Sequence, residues 1–128
     1  MKQIKLTEEQ VLHLCQKDED SFFDKKAFGV RGREVQKIAV AFANADGGEI
    51  VFGIADESDE ADPLKRWQGR PTTEDYNQII QALSELLPSI DFRFDFLIKA
   101  GDIRNYVMRV KINKGLAVHE TADKKIYI

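Results

Sequence analysis

The sequence is poor in the residues that build disulfide frameworks and metal clusters. Its 128 residues include one cysteine, Cys15, and two histidines. A single cysteine excludes an internal disulfide and leaves no cysteine-rich metal cluster. His13 and His119 lie far apart in the sequence and have no partners at ligand spacing, so we expect both to be structural.

Long apolar segments and nucleotide-binding loops are also absent. No apolar run approaches the length of a membrane span, and the N-terminus lacks the hydrophobic stretch of a signal peptide. The sequence has no phosphate-cradling P-loop, and Ser21 has no Ser-His-Asp context. We therefore expect a soluble, cytoplasmic protein with no membrane partner.

Charge is small overall and unevenly placed. The formal net charge is −3 and the sequence pI is about 5.4, which argues against a strongly basic, non-specific DNA coat. Residues 25–37 nevertheless hold five cations against one acid, whereas residues 56–62 hold five acids and no cation. A local basic surface on an acidic chain is compatible with selective nucleic-acid binding. An ordinary solvated surface of mixed charge is the alternative.

Periodicity in the first half predicts two helices and two strands. Thr7 and Gln10 have the capping-box pattern, which predicts a helix from there to about Lys17. Residues 21–27 read as a strand, and a second helix begins near Arg33. Its apolar stripe consists of Val35, Ile38, Ala39 and Phe42. Asn44 and Gly47-Gly48 end this helix, and residues 49–55 form a strand buried on both faces.

The second half predicts a loop, a helix and hairpins. Residues 56–71 read as a long surface loop, a kind of connection that often carries function. A third helix begins at Thr72 or Thr73 and ends before Pro88. Its stripe consists of Tyr76, Ile79, Ile80, Leu83, Leu86 and Leu87. Residues 90–100 and 106–112 alternate as a hairpin, and residues 117–128 resemble another short one.

This order of elements predicts an α+β fold with a mixed, mainly antiparallel sheet and about three packed helices. The length fits one domain of residues 1–128. Because the last residues look like the middle of a strand, we expect the domain to be the N-terminal part of a longer protein. Exposed edge strands at residues 92–96 or at the end could pair between chains and give a homo-oligomer.

One segment identifies a family. Residues 41–56 read Ala-Phe-Ala-Asn-Ala-Asp-Gly-Gly-Glu-Ile-Val-Phe-Gly-Ile-Ala-Asp. This run resembles the signature of the Schlafen AlbA-like family, in which a helix ending A-F-A-N-[ST]-x-G-G passes into a strand ending G-V-x-D. Residues 19–26 resemble the family's E-x-x-x-x-E-F-K strand, with Lys25 in place of its aromatic residue. Residues 118–128 resemble its closing segment.

The resemblance implies an acidic trio. In Schlafen proteins that cleave RNA, two acids on the first strand and one after the second are assigned to catalysis. Glu19, Asp24 and Asp56 stand at those positions, and Asp24 replaces a glutamate of the family. Carboxylates that converge suit Mg²⁺ or Mn²⁺, which could activate a water for attack on a phosphodiester. The residues thus give one candidate function, a metal-dependent endoribonuclease.

A binding function would use the cations instead. Lys25 and Lys26 on the strand, with Arg31 and Arg33 at the start of the second helix, could form one phosphate-contacting patch. A second patch consists of Lys65, Arg66 and Arg70. There Trp67 could stack on an unpaired base, or it could pack the loop onto the domain.

The preferred hypothesis is therefore a nucleic-acid-binding domain, for DNA or RNA, of a prokaryotic regulatory or defence protein. The alternatives are the endoribonuclease and a non-catalytic oligomerisation module.

Overall fold

The computed structural model describes residues 2–115, which form one five-stranded sheet with helices on both faces. The elements are β1 (Gln3–Leu6), α1 (Glu8–Gln16), β2 (Phe23–Lys26), α2 (Gly32–Asn44), β3 (Gly48–Phe52), α3 (Asn77–Ser84), β4 (Phe92–Lys99) and β5 (Asp102–Ile112). Two 3₁₀ turns, Pro63–Lys65 and Thr73–Tyr76, lie between β3 and α3.

The strand order is β1-β4-β5-β3-β2. The centre is antiparallel, since β5 pairs with both β4 and β3 in that sense. Each outer strand pairs in parallel over four residues, β1 with β4 and β2 with β3. The expected α+β fold with a mixed, mainly antiparallel sheet is thus confirmed.

The larger core lies between the sheet and the helices α2 and α3. Residues of the predicted α2 stripe, Val35 and Ala39, are fully buried, and they share a hydrophobic cluster with Ile50 and Phe52 of β3. Small side chains at Ala39 and Ala43 allow the helix to approach the sheet closely. Side chains from α3 complete this layer.

The pair Gly47-Gly48 lets the chain pass from α2 into β3. Gly47 has φ +85°, a conformation that favours glycine. A β-carbon on Gly48 would lie 2.6 Å from the ring of Phe42, so this ring lies directly against the backbone. Both glycines are required by the fold, as the sequence indicated.

A smaller core lies on the other face, under α1. The predicted capping box is present, because Thr7 Oγ1 accepts from the N–H of Gln10 and the Gln10 side chain accepts from the N–H of Thr7. Val11 and Cys15 project onto a cluster that includes Phe23 and Val51. Burial raises the pKa of the Cys15 thiol, which disfavours the reactive thiolate.

The structure corrects three details of the elements. Strand β1 was not predicted. Helix α3 ends at Ser84, and Leu87, assigned to its apolar stripe, is 76% exposed. Strand β4 lies inside the sheet between β1 and β5, and β1 covers it from Phe96 to Lys99, so only its residues 92–95 lie at an edge. The predicted hairpin of residues 117–128 lies outside the described residues.

The segment 56–71 is more ordered than the surface loop expected for it. Trp67 forms a β-bridge with Ile54, and Arg70 forms one with Tyr106. Arg66 and Trp67 are 7% and 5% exposed. The segment therefore packs against α1, through Trp67 in the cluster beneath the helix and Arg66 at the Cys15 carbonyl.

Candidate functional site

Two of the three predicted acids meet at one lysine. The chain reverses before β2, where Asp20 bridges to Phe23, and this reversal brings Glu19 alongside the strand. Lys26 Nζ lies 3.5 Å from Asp24 Oδ1 and 3.9 Å from Glu19 Oε2. Glu19, Asp24 and Lys26 therefore form a carboxylate–lysine cluster on the α2 side of β2.

Asp24 is the buried member of this cluster. Its side chain is 14% exposed, and Oδ1 accepts no hydrogen bond although Lys26 is near. Burial raises the pKa of Asp24, and this effect outweighs the Lys26 charge, which lowers it. Asp24 lines a cleft of about 300 Å³ between β2 and α2, together with Glu19, Glu34 and Lys37.

The third predicted acid, Asp56, is held in a turn of its own. Its carboxylate accepts from the N–H of Glu57 at 2.9 Å and from Ser58 Oγ at 3.1 Å. Its carbonyl accepts from the N–H groups of Asp59 and Glu60. The side chain is exposed and turned to these local partners.

The acidic trio is therefore not gathered into a metal site in this arrangement. Among residues 2–115, no three histidine, cysteine, aspartate or glutamate side chains are placed to hold one metal ion. The Lys26 ammonium already pairs with both Glu19 and Asp24 and offsets one of their two charges. The donor set does not fit Mg²⁺ or Mn²⁺ as it stands, and the metal site stays a prediction.

Two of the predicted nucleic-acid contacts hold the domain together. Arg66 donates from Nε to the carbonyl of Glu60 at 2.7 Å, from Nη2 to that of Ala61 at 3.0 Å, and from Nη1 to that of Cys15 at 3.3 Å. Lys25 Nζ donates to the same Cys15 oxygen at 3.0 Å. These groups are occupied inside the protein.

The N-terminal end of α2 collects the more accessible cations. Arg31 is its N-cap residue and Arg33 lies in its first turn, and both are exposed. The guanidinium of Arg70 lies 4.6 Å from the ring centre of Phe28, just before the helix, and it pairs with Asp75 at 3.3 Å. We call Arg31, Arg33 and Arg70 the α2 basic end. Lys65, also exposed, lies apart from them in the Pro63–Lys65 turn.

Trp67 packs the loop onto the domain; the sequence had also allowed it to stack on an unpaired base. It lies in the cluster under α1, and its indole N–H donates to the carbonyl of Asn105 at 3.1 Å. An indole that is 5% exposed is not available as a stacking platform in this conformation.

The sheet carries a group of cations that the sequence analysis did not single out. Arg93 of β4 stands directly opposite Lys111 of β5, and Asp95 stands opposite Arg109 in the same way. Arg109 binds Asp95 through Nε at 3.0 Å and Nη2 at 2.7 Å, and Nε also lies 3.6 Å from Glu49. These bonds raise the pKa of Arg109.

Lys2 lines the same small cleft as these side chains. We call Lys2, Arg93, Arg109 and Lys111 the sheet-face cations. Their signal in the sequence was the alternation of charged residues at positions 93, 95, 109 and 111, on the strand face opposite the phenylalanines.

Fold and site together define a small α+β domain with a mixed sheet, a carboxylate–lysine cluster and two separate basic surfaces. The family model described as Schlafen, AlbA_2 matches residues 19–128. The chain belongs to this Schlafen AlbA_2 family.

Solved structures support the fold. Matching chains number 17, and one of them is the DIP2311 protein from Corynebacterium diphtheriae. The alignment covers 92% of this chain, with a TM-score of 0.53 and 14% identity. It covers 26% of the DIP2311 chain, so the present chain spans about a quarter of that protein's length. A search of curated proteins gave no significant match. Within the described residues, none of the helices has the length and apolar character needed to span a membrane.

Proposed function

We propose that this domain binds nucleic acid and serves a prokaryotic Schlafen-type regulatory or defence protein as its nucleic-acid-binding module. The observation that carries the proposal is the α2 basic end, where Arg31 and Arg33 are exposed at the helix N-terminus and Arg70, paired with Asp75, lies against Phe28 just before it, on a chain whose net charge is −3. Membership of the Schlafen AlbA_2 family supports it.

The α2 basic end suits a phosphate backbone. Arg31 makes no side-chain cap hydrogen bond at the helix N-terminus, whereas α1 is capped by Thr7. The first N–H groups of a helix and its partial positive charge favour an anion, and guanidinium groups add directed donors. Phosphate contacts of this kind give affinity that falls with salt and does not depend strongly on sequence.

The test is a binding titration by fluorescence anisotropy with labelled tRNA, single-stranded DNA and duplex DNA at several salt concentrations. The double variant Arg31→Gln/Arg33→Gln should bind less tightly than the unchanged chain, with a smaller salt dependence. Lys5→Gln/Arg104→Gln, which removes two charges from exposed positions of β1 and of the β4–β5 hairpin, is the matched control. Absence of binding to all three probes would refute the proposal.

A metal-dependent endoribonuclease is the second candidate, favoured by one observation. Glu19 and Asp24 already share a site, and the buried Asp24 Oδ1 lacks a hydrogen bond. Asp56 would have to leave its turn to join them. The same probes incubated with Mn²⁺ or EDTA test this candidate, because cleavage that needs Mn²⁺ and is lost in both Asp24→Asn and Asp56→Ala would establish it.

Self-association is the remaining alternative. Within the described residues, β1 pairs with β4 only from Phe96 onward, which leaves residues 92–95 of β4 without a strand partner on that side. A dimer that retains none of the three probes would favour an oligomerisation module.

A further inference from the structure

Helix α1 covers only one end of its face of the sheet. Val11 and Cys15 lie over Val51, Leu97 and neighbouring apolar side chains. Towards the start of β4 and the end of β5, the same face carries the charged residues 93, 95, 109 and 111. Arg93 and Lys111 are exposed there, so this end of the sheet face is open to solvent.

The open end is strongly cationic for so acidic a chain. The cleft there is lined by the four sheet-face cations, the single carboxylate Asp95 and Phe94. Four positive charges and one negative charge give +3, against −3 for the whole chain. Counting Glu49, which also pairs with Arg109, leaves +2, and counting Glu9 at the edge of α1 leaves +1.

The placement of Arg93 and Lys111 opposes folding rather than supporting it. Like charges directly opposite each other on neighbouring strands are destabilising. No ion pair to an acid relieves either residue among residues 2–115, since Asp95 is engaged by Arg109 through two bonds. An anionic partner would relieve this repulsion.

A second groove continues from the cationic cleft to the edge of α1. Arg109 lines both of them. The groove has a volume of about 420 Å³, and its walls are Leu6, Leu14 and Leu97 with the polar side chains Glu9, Gln10, His13 and Glu49. Three leucine side chains beside five hydrogen-bonding side chains, in a volume of this size, suit an organic group with polar edges, such as a nucleobase.

We call this surface, the cationic cleft together with the groove beside α1, the open sheet face. We propose that it binds a single nucleic-acid strand, with backbone phosphate at Lys2, Arg93 and Lys111 and an unstacked base in the groove. This inference rests on the proposed function and specifies its substrate class. Charge complementarity selects a polyanion, and the adjoining groove selects one that carries a planar, partly apolar group next to each phosphate.

The groove also explains why the strand is single. The bases of a duplex are stacked and paired inside the helix, and extruding one costs a few kcal/mol. In a single strand the bases are free to turn into a pocket beside a backbone-binding surface. The open sheet face lies across the sheet from α2, so its contribution can be measured separately from that of the α2 basic end.

The experiment compares three labelled probes by anisotropy, all with the full chain: a single-stranded oligonucleotide, its duplex, and the same strand with abasic sites. We expect the single strand to bind most tightly, and the abasic strand to bind more weakly because the groove stays empty. The double variant Arg93→Gln/Lys111→Gln should lose on the order of tenfold in affinity. The salt dependence should become weaker: the magnitude of the slope of log K against log salt should decrease by about 1.4, at ~0.7 for each of the two lost phosphate contacts.

The control is the double variant Lys5→Gln/Arg104→Gln, which removes one lysine and one arginine charge from exposed positions outside both basic surfaces. Unchanged single-strand affinity in Arg93→Gln/Lys111→Gln, with reduced affinity in Arg31→Gln/Arg33→Gln, would overturn the inference and leave the proposed function standing. Equal binding of the intact and abasic strands would overturn the base groove. Failure of the unchanged chain to bind any probe would overturn both proposals.

Discussion

Lys25 and Arg66 donate hydrogen bonds to the same backbone oxygen, that of Cys15 in the last turn of α1. The distances are 3.0 Å from Lys25 Nζ and 3.3 Å from Arg66 Nη1. Carbonyls in the last turn of a helix lack partners within the helix and carry partial negative charge, so cations stabilise them. The two side chains thereby tie α1 to β2 and to the loop after β3.

Arg66→Gln should lower the free energy of unfolding by about 2–4 kcal/mol, because it removes three charged hydrogen bonds and takes the Arg66 donor from the carbonyls of Glu60 and Ala61, while Lys25 still serves that of Cys15. Urea unfolding measures this loss. Lys65→Gln, the exposed neighbour, should change stability little. If the Arg66→Gln protein has normal stability but weaker nucleic-acid affinity, Arg66 contacts nucleic acid and does not stabilise the fold.

The single tryptophan reports on its own role. Because Trp67 is buried, its emission should lie at short wavelength in the folded protein and be quenched weakly by acrylamide. A saturating single-stranded oligonucleotide should change its intensity little. Strong quenching by the oligonucleotide, of the size that base stacking gives, would instead place Trp67 in contact with nucleic acid.

Gly48→Ala should destabilise the fold by about 1–3 kcal/mol, since the new methyl group would lie 2.6 Å from the Phe42 ring. Gly29→Ala is the matched control, because a β-carbon there meets no atom within 4 Å. Thermal or urea unfolding of both variants measures the difference. Equal stabilities would show that the Phe42 ring can move aside.

Asp24→Asn should make the protein more stable at pH 7. Burial raises the pKa of Asp24 in the folded state, so the folded state disfavours its charge more than the unfolded state does. That cost is present above the raised pKa and disappears as the pH falls below the usual aspartate range. The stability difference between variant and unchanged chain should therefore shrink on acidification.

Unfolding curves between pH 3 and pH 8 test this sign. Glu57→Gln, which removes an exposed carboxylate from the 56–62 segment, is the control. A variant less stable than the unchanged chain at pH 7 would show that the Lys26 ion pair outweighs the burial of Asp24.

Local signals carried much of the fold. The capping box at Thr7, the α2 stripe and the Gly47-Gly48 reversal each depend on neighbouring residues, and each lies where the sequence placed it. Strand β1 escaped because four residues with two apolar side chains resemble any short extended segment. Its pairing with β4 is a long-range contact that no local pattern records.

The candidate site was less predictable because residue type does not specify the partner. Arg66 and Arg31 are the same residue type, yet one is buried among carbonyls and the other is exposed at a helix end. The spacing of Glu19 and Asp24 brought them together, whereas the position of Asp56 depends on a turn formed with its own neighbours. The sheet-face cations needed the β4–β5 register before they became one surface.

The pairing of β1 with β4 also sets an order of folding during synthesis. Gln3 pairs with Phe96, 93 residues later in the chain. At a translation rate of roughly 5–20 residues per second, the first strand waits about 5–20 s for its partner. Leu97 and Val107 form part of the surface beneath α1, so this layer closes only after the β4–β5 hairpin has been made. Until then the apolar side chains of Phe23 and Val51 are exposed to solvent in the nascent chain. Helix α2 can pack on β3 well before the apolar surface beneath α1 is complete.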